Sequence, residues 1–151
     1  MTYQLPREPS APRLALWRAV RRLGALQVSD GLVALPYSAR NLEHLEWLTV
    51  GVEEGHGSAA IWLAQAASAR AHADYAERMR ATVDEEYRSV LLEAREALAA
   101  DPSGVDGRRT LRRLRGRLRR IASRDYFAAP IGEAARIAVD RLARTAQEVP
   151  A

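Results

Sequence analysis

The 151-residue chain has no cysteine, no lysine, a single phenylalanine and no long uninterrupted apolar run. Without cysteine there is no disulfide framework, no thiol nucleophile and no thiolate metal site, so an intracellular protein is the default expectation. No segment approaches the roughly eighteen apolar residues that a membrane-crossing helix needs. The first twelve residues show neither the apolar core nor the cleavage-like end of a secretion signal. A soluble, cytoplasmic protein with no membrane partner is therefore expected. Acid is missing in two places as well: none lies between Ala11 and Ser29, and none between Arg108 and Arg124.

With no lysine, all 23 basic residues are arginine. Much of that bias follows codon usage in a GC-rich genome, but the chemistry is real, because a guanidinium offers a planar donor fork suited to phosphate and other oxyanions. The apolar content of 48% supplies a core for one domain, or for one small domain with a helical appendage.

Thr2–Leu5 reads as a short strand stopped by Pro6. Ser10 is an expected N-cap and Pro12 suits the first turn of a helix that Gly24 ends. In that helix Leu16, Val20 and Leu23 form the inner face, with Leu14 and Trp17 helping. Ala25–Pro36 reads as a β-hairpin around Asp30-Gly31, with Val28 opposite Val33 and Leu26 opposite Leu35. Asn41 is an expected cap for a second helix whose Leu42, Leu45, Leu48 and Val52 face inward, and which ends at Gly55–Gly57. Ser58–Ala66 reads as an interior strand, with Ile61 and Leu63 on one face and Trp62 on the other. That second face needs a cover, from the rest of the chain or from a second copy. The order strand, helix, hairpin, helix, strand predicts an α+β fold, a ferredoxin-like βαββαβ sandwich over residues 1–68.

Residues 69–151 are expected to form a helical extension. Tyr75, Met79, Val83, Tyr87 and Leu91, continued by Val90, Ala94 and Leu98, trace a long amphipathic helix over Ala69–Ala99. Asp101–Gly107 reads as a turn, so the next helix returns antiparallel. Leu111, Leu114, Leu118 and Ile121 give that helix an apolar stripe among nine arginines in seventeen residues. Ser123–Ala129 breaks the pattern, and Pro130 starts a terminal helix with Ile131, Ala135, Ala138 and Leu142 inward.

The long helix supplies eight acids against four arginines from Asp74 to Asp101, a net charge of −4 against the +9 that follows. One reading is mutual neutralisation along the helical hairpin, where exposed pairs contribute only about 0–1 kcal/mol each. The other is that the excess meets a partner. The expected phosphate-contacting residues are Arg13, Arg18, Arg21 and Arg22 on the first helix, and Arg108, Arg109, Arg112, Arg113, Arg115, Arg117, Arg119, Arg120 and Arg124 on the arginine-rich one, with DNA as the partner.

The catalytic inventory is thin, and no enzyme activity is expected. His44, His56 and His72 stand at no metal-ligand spacing, and Asp84, Glu85 and Glu86 diverge around a helix. Gly55 and Gly57 lack the strand-to-helix context of a phosphate loop and read as a turn. Asp125, Tyr126 and Phe127 read as an anchor for a helix. No catalytic residue, metal site or cofactor is assigned.

The stretch Leu5–Ser10, LPREPS, then LWRAVRRLGA with its Asp30-Gly31 hairpin and Leu35-Pro36 close, resembles the N-terminal domain of the ChrB family of chromate-resistance regulatory proteins. SRDYFAAP at Ser123–Pro130 is similar to the same family. A more distant likeness joins the helix, hairpin and LP signature to the middle domain of the PaaX repressor and to the small CRISPR-adaptation nucleases, both ferredoxin-like. The resemblance implies a transcriptional regulator binding DNA under control of an oxyanion such as chromate, as a homodimer. The basic residues it carries over are Arg13, Arg18, Arg21 and Arg22. Longer family members have a further C-terminal domain, and a chain ending at Ala151 is expected to keep the DNA-binding or dimerising half.

Two other readings stay open. One is a small-oxyanion module in which Arg18, Arg22, Tyr37, Ser38 and Arg40 hold chromate, sulfate or a phosphate ester without DNA. The other is a metal-dependent nuclease, against which the lack of an acid at the end of the first strand weighs.

Overall fold

The structure, a computed structural model, describes residues 1–100 and 104–146. Its elements run β1 (Thr2–Gln4), α1 (Ala11–Leu23), β2 (Leu26–Ser29), β3 (Leu32–Ala34), α2 (Ala39–Glu54), β4 (Ser58–Ala60), α3 (Ala69–Ala99), α4 (Val105–Ala122) and α5 (Ile131–Thr145). Two compact units divide the chain, one from Met1 to Met79 and the other from Arg80 onward.

In the first unit four strands form an antiparallel sheet in the order β2-β3-β1-β4. Strand alternation sends Met1, Tyr3 and Leu5 to one face, where Leu16 and Val20 of α1, Val33 of β3, and Leu45 and Val52 of α2 close the core. Gly24 stops α1 in the left-handed conformation, φ 69°, as expected.

Several local expectations are corrected. Ser10 occupies the N-cap position of α1 but makes no side-chain capping bond. Leu14 and Trp17 are 46% and 52% exposed, so neither helps the inner face of α1. Leu14 and Trp17 lie on flanks turned away from the Leu16–Val20 ridge, because a 3.6-residue repeat accommodates only one such ridge against the sheet. The cap of α2 is Ser38, whose hydroxyl accepts from the Asn41 backbone N–H at 3.1 Å; Asn41 is buried instead and donates to the Pro36 carbonyl at 2.9 Å.

The hairpin keeps its two-residue connection, with Ser29 opposite Leu32, but an irregularity at Val28 shifts the register by one. Gln27 then faces Val33 and Leu26 faces Ala34, where Val28–Val33 and Leu26–Leu35 pairs were expected. A β-bulge does this by placing two residues of one strand against one of the other. Gly31 is required at the turn for two reasons: its φ is 74°, and a Cβ there would meet the Tyr3 carbonyl oxygen at 2.6 Å. That close approach lets the Tyr3 N–H donate to the Gly31 carbonyl at 2.8 Å.

β4 is an edge strand of three residues, where a longer interior strand was expected over Ser58–Ala66. Gly57, read as a turn residue, matters for space: a Cβ would strike the Gln4 carbonyl oxygen, just where Gln4 pairs with Ser58. Beyond β4, Trp62 stays 66% exposed while its indole N–H donates to Thr2 Oγ1 at 3.0 Å.

In the second unit, Val83, Tyr87, Val90, Leu91 and Ala94 of α3 meet Leu111, Leu114 and Ile121 of α4 and Ala135, Val139 and Leu142 of α5. The alanines let the helix axes approach closely, and the branched residues fill the space between. Of the turn expected over Asp101–Gly107, residues 101–103 lie outside the described residues. Val105–Gly107 is already the first turn of α4, with Gly104 as N-cap and Gly107 buried, despite the low helix propensity of glycine.

Leu114 is fully buried at the centre of this packing. The expected outcome of Leu114→Ala is a loss of about 2–5 kcal/mol in unfolding free energy, measured by chemical denaturation. A loss below about 1 kcal/mol would mean that α4 does not dock through this stripe.

Candidate nucleic-acid interface

On α1 the burial of Leu16 and Val20 turns every arginine outward. Arg13, Arg18, Arg21 and Arg22 are all exposed, and no acid occurs between Ala11 and Ser29 to offset them. Trp17, four residues from both Arg13 and Arg21, stands on the same side of the helix. The Arg21 guanidinium carbon lies 5.3 Å from the Trp17 ring centroid, a cation–π contact. Sequence reasoning placed Trp17 in the core; the signal available was its arginines at i−4 and i+4.

On α4, docking of Leu111, Leu114 and Ile121 sets the rotation of the helix, and rotation decides which arginines meet the acids of α3. Arg113 Nη1 pairs with Glu93 Oε2 at 2.6 Å. Arg117 Nη1 pairs with the other oxygen of the same carboxylate, while its Nη2 donates to Ser89 Oγ at 2.9 Å. Arg124 Nη2 reaches Glu86 Oε2 at 2.5 Å. As the arginine number rises the glutamate number falls, so α3 and α4 run antiparallel, as expected.

Arg109, Arg112, Arg115, Arg119 and Arg120 are exposed and make no ion pair among the described residues. Arg112, Arg115 and Arg119, preceded by Arg108, recur at i, i+4, i+7 and i+11. That spacing aligns them in one stripe about 16 Å long. Arg115 and Arg119 also rim a concavity of about 350 Å³ with Arg136 and the acid Asp140, walled by Tyr87, Leu118, Ala122 and Val139.

Burial alone would raise the Glu93 carboxyl pKa. Hydrogen bonds and charge from Arg117 and Arg113 reverse that effect and hold it below the usual carboxylate value.

The segment after α4 is a joint. Tyr87 Oη, on a fully buried ring, donates to Asp125 Oδ2 at 3.2 Å, and Asp125 Oδ1 accepts from the Ala129 N–H at 2.9 Å. Burial pushes the Tyr87 hydroxyl pKa up, the neighbouring Asp125 pushes it further, and Arg136 partly opposes them. Both oxygens of Asp125 are thus engaged in holding the chain between α4 and α5.

Of the residues proposed for a small oxyanion, Ser38 is occupied as the α2 cap. Tyr37 lines an apolar concavity with Leu35, Trp62 and Tyr75, which Arg18, Arg22 and Arg40 do not line. Glu86 is committed to Arg124, and Glu85 lies 3.3 Å from Arg88. Among the described residues no group of three or more His, Asp or Glu side chains is placed to hold a metal, and no helix is long and apolar enough to cross a membrane.

The fold and its surface define a small α/β protein with two arginine-faced helices. The family model described as "Protein ChrB, N-terminal" matches residues 13–99, more than half of the chain, and the chain belongs to that family. The match runs from the first turn of α1 to the end of α3 and includes Arg13, Arg18, Arg21 and Arg22; the arginine-rich α4 and the SRDYFAAP segment fall outside it. No curated protein and no solved structure matches the chain.

A carboxylate whose folded pKa is depressed adds stability above its unfolded pKa and loses it as pH falls through the folded value. Glu93→Gln is therefore expected to lower unfolding free energy by about 1–2 kcal/mol at neutral pH. The gap to the parent protein should close as pH falls below the usual carboxylate range, where Glu93 is protonated in both states. Denaturation across that pH range checks it, and a gap that persists unchanged in acid would refute the charge-based role.

Proposed function

We propose that this protein is a transcriptional regulatory protein linked to chromate resistance, which grips the DNA backbone through its arginine surfaces. Family membership supports the regulatory role. The observation that carries the DNA reading is the divided fate of the arginines on α4 and just after it. Glu93 and Glu86 occupy Arg113, Arg117 and Arg124, while Arg109, Arg112, Arg115, Arg119 and Arg120 face solvent with no acid partner among the described residues. Guanidinium groups held about one helical turn apart match the repeated charge of a phosphate backbone, and their binding would release counterions. The exposed Arg13, Arg18, Arg21 and Arg22 of α1 form a second such surface.

Phosphate contacts position a protein without reading bases, so no operator sequence is assigned to these residues. The same reading takes the first unit as a ferredoxin-like βαββαβ sandwich with a helical extension. The β2-β3-β1-β4 order and the two helices sharing a core with the sheet support it. It includes a homodimer, whose two-fold axis would match a palindromic site, and an oxyanion effector. No catalytic step is assigned.

The test is anisotropy titration of duplex DNA at two salt concentrations, comparing the parent with the Arg112→Gln, Arg115→Gln, Arg119→Gln triple variant. Binding should weaken by about tenfold or more, and the slope of log affinity on log salt should become shallower by about 0.9 for each phosphate that the variant no longer neutralises. An Arg144→Gln control on α5 should change little. Unchanged duplex binding by the triple variant would remove α4 from the interface.

A further inference from the structure

Phosphate binding leaves one feature of α1 without a role. Trp17 is half exposed, is backed by Arg21, and lines a concavity of about 770 Å³ together with Arg7, Arg13, Tyr3, Leu14 and Gln27. The volume falls within the usual range for small-molecule sites, roughly 300–1,000 Å³. Its lining is chemically divided: Trp17 and Leu14 are apolar, while Arg7 and Arg13 carry guanidinium groups. A bare oxyanion has no π-face to use Trp17, and a base inside a duplex has both faces stacked.

We propose that this concavity binds an unpaired nucleotide, its base stacked on Trp17 and its phosphate held between Arg7 and Arg13. Base–aromatic stacking beside a positive groove is a general mode of binding unpaired nucleotides. The polar edge has partners too. The Gln27 side-chain N–H group donates to Tyr3 Oη at 3.3 Å and to the Ser29 carbonyl at 3.2 Å, which orients the amide and leaves its oxygen available to accept from a base edge. Asp30, also on the lining, suits an exocyclic amine or a ribose hydroxyl. The inference goes beyond the duplex-backbone reading, because a free mononucleotide would satisfy the same groups as a single strand.

Trp47 and Trp62 are exposed, so Trp47→Phe with Trp62→Phe leaves Trp17 as the only indole, at the cost of the Trp62–Thr2 hydrogen bond; the circular dichroism and melting temperature of this variant are first matched to the parent. That protein is titrated with an eight-residue oligothymidylate, a duplex of the same length and adenosine monophosphate, following both fluorescence and affinity. Quenching of Trp17 by the single strand or by the mononucleotide, with little quenching by the duplex, is the expected result, and the two ligands separate the possible sources. Trp17→Ala should weaken binding of the quenching ligand by about tenfold, Trp17→Phe should recover part of the loss, and duplex affinity should hold. Equal binding of single strand and duplex, with no quenching and no effect of Trp17→Ala, overturns the nucleotide site while leaving the backbone reading intact. Absence of binding to all three ligands overturns both.

Discussion

Burial of one leucine stripe governs the charged surface of the second unit. Leu111, Leu114 and Ile121 can enter the core with α3 and α5 at only one rotation of α4. At that rotation Arg113 and Arg117 fall on the flank beside Glu93, with Arg124 beside Glu86 just beyond the helix end, while Arg112, Arg115 and Arg119 fall on the other flank. Hydrophobic burial, worth roughly 1.5–3 kcal/mol for each large side chain, outweighs an exposed ion pair at about 0–1 kcal/mol. Packing therefore selects the pairs, and the unquenched arginines are what packing leaves over.

The first unit follows the same order of cause. Leu16 and Val20 fix α1 against the sheet, which leaves Arg13, Arg18, Arg21 and Arg22 outside together with Trp17. An indole between two arginines is then an exposed aromatic set in a field of positive charge. In α4 the solvent face carries charge without an aromatic. The two helices thus differ in what they offer an anion: α4 a row of point charges, α1 a charged rim beside a flat apolar surface.

Much of this architecture was legible in the residues. The limits of α3 follow from its period, the stop of α1 from Gly24, and the two-residue connection from Asp30-Gly31. The misses share a cause, since each turned on a specific contact, near or far along the chain, that periodicity and composition do not encode. Val28 bulges out of the hairpin register, and Gly31 is closely approached by the Tyr3 carbonyl of another strand. Ser38 outcompetes Asn41 as a cap because Asn41 is drawn inward to the Pro36 carbonyl. Trp17 looked like core because a large apolar residue lies near an apolar ridge, yet the sheet accepts only one ridge of the helix.

By itself, the sequence determined the inventory: no thiols, an excess of guanidinium over carboxylate along two helices, and the helical and strand periods that place apolar residues on one side. Those are local properties, readable from spacing and composition. Only the tertiary structure decided how that excess is shared out, with Glu93 serving two arginines at once and the Arg112–Arg119 row left to solvent. Helix rotation and side-chain reach are set by packing against distant segments, and residue spacing within a single helix does not contain them.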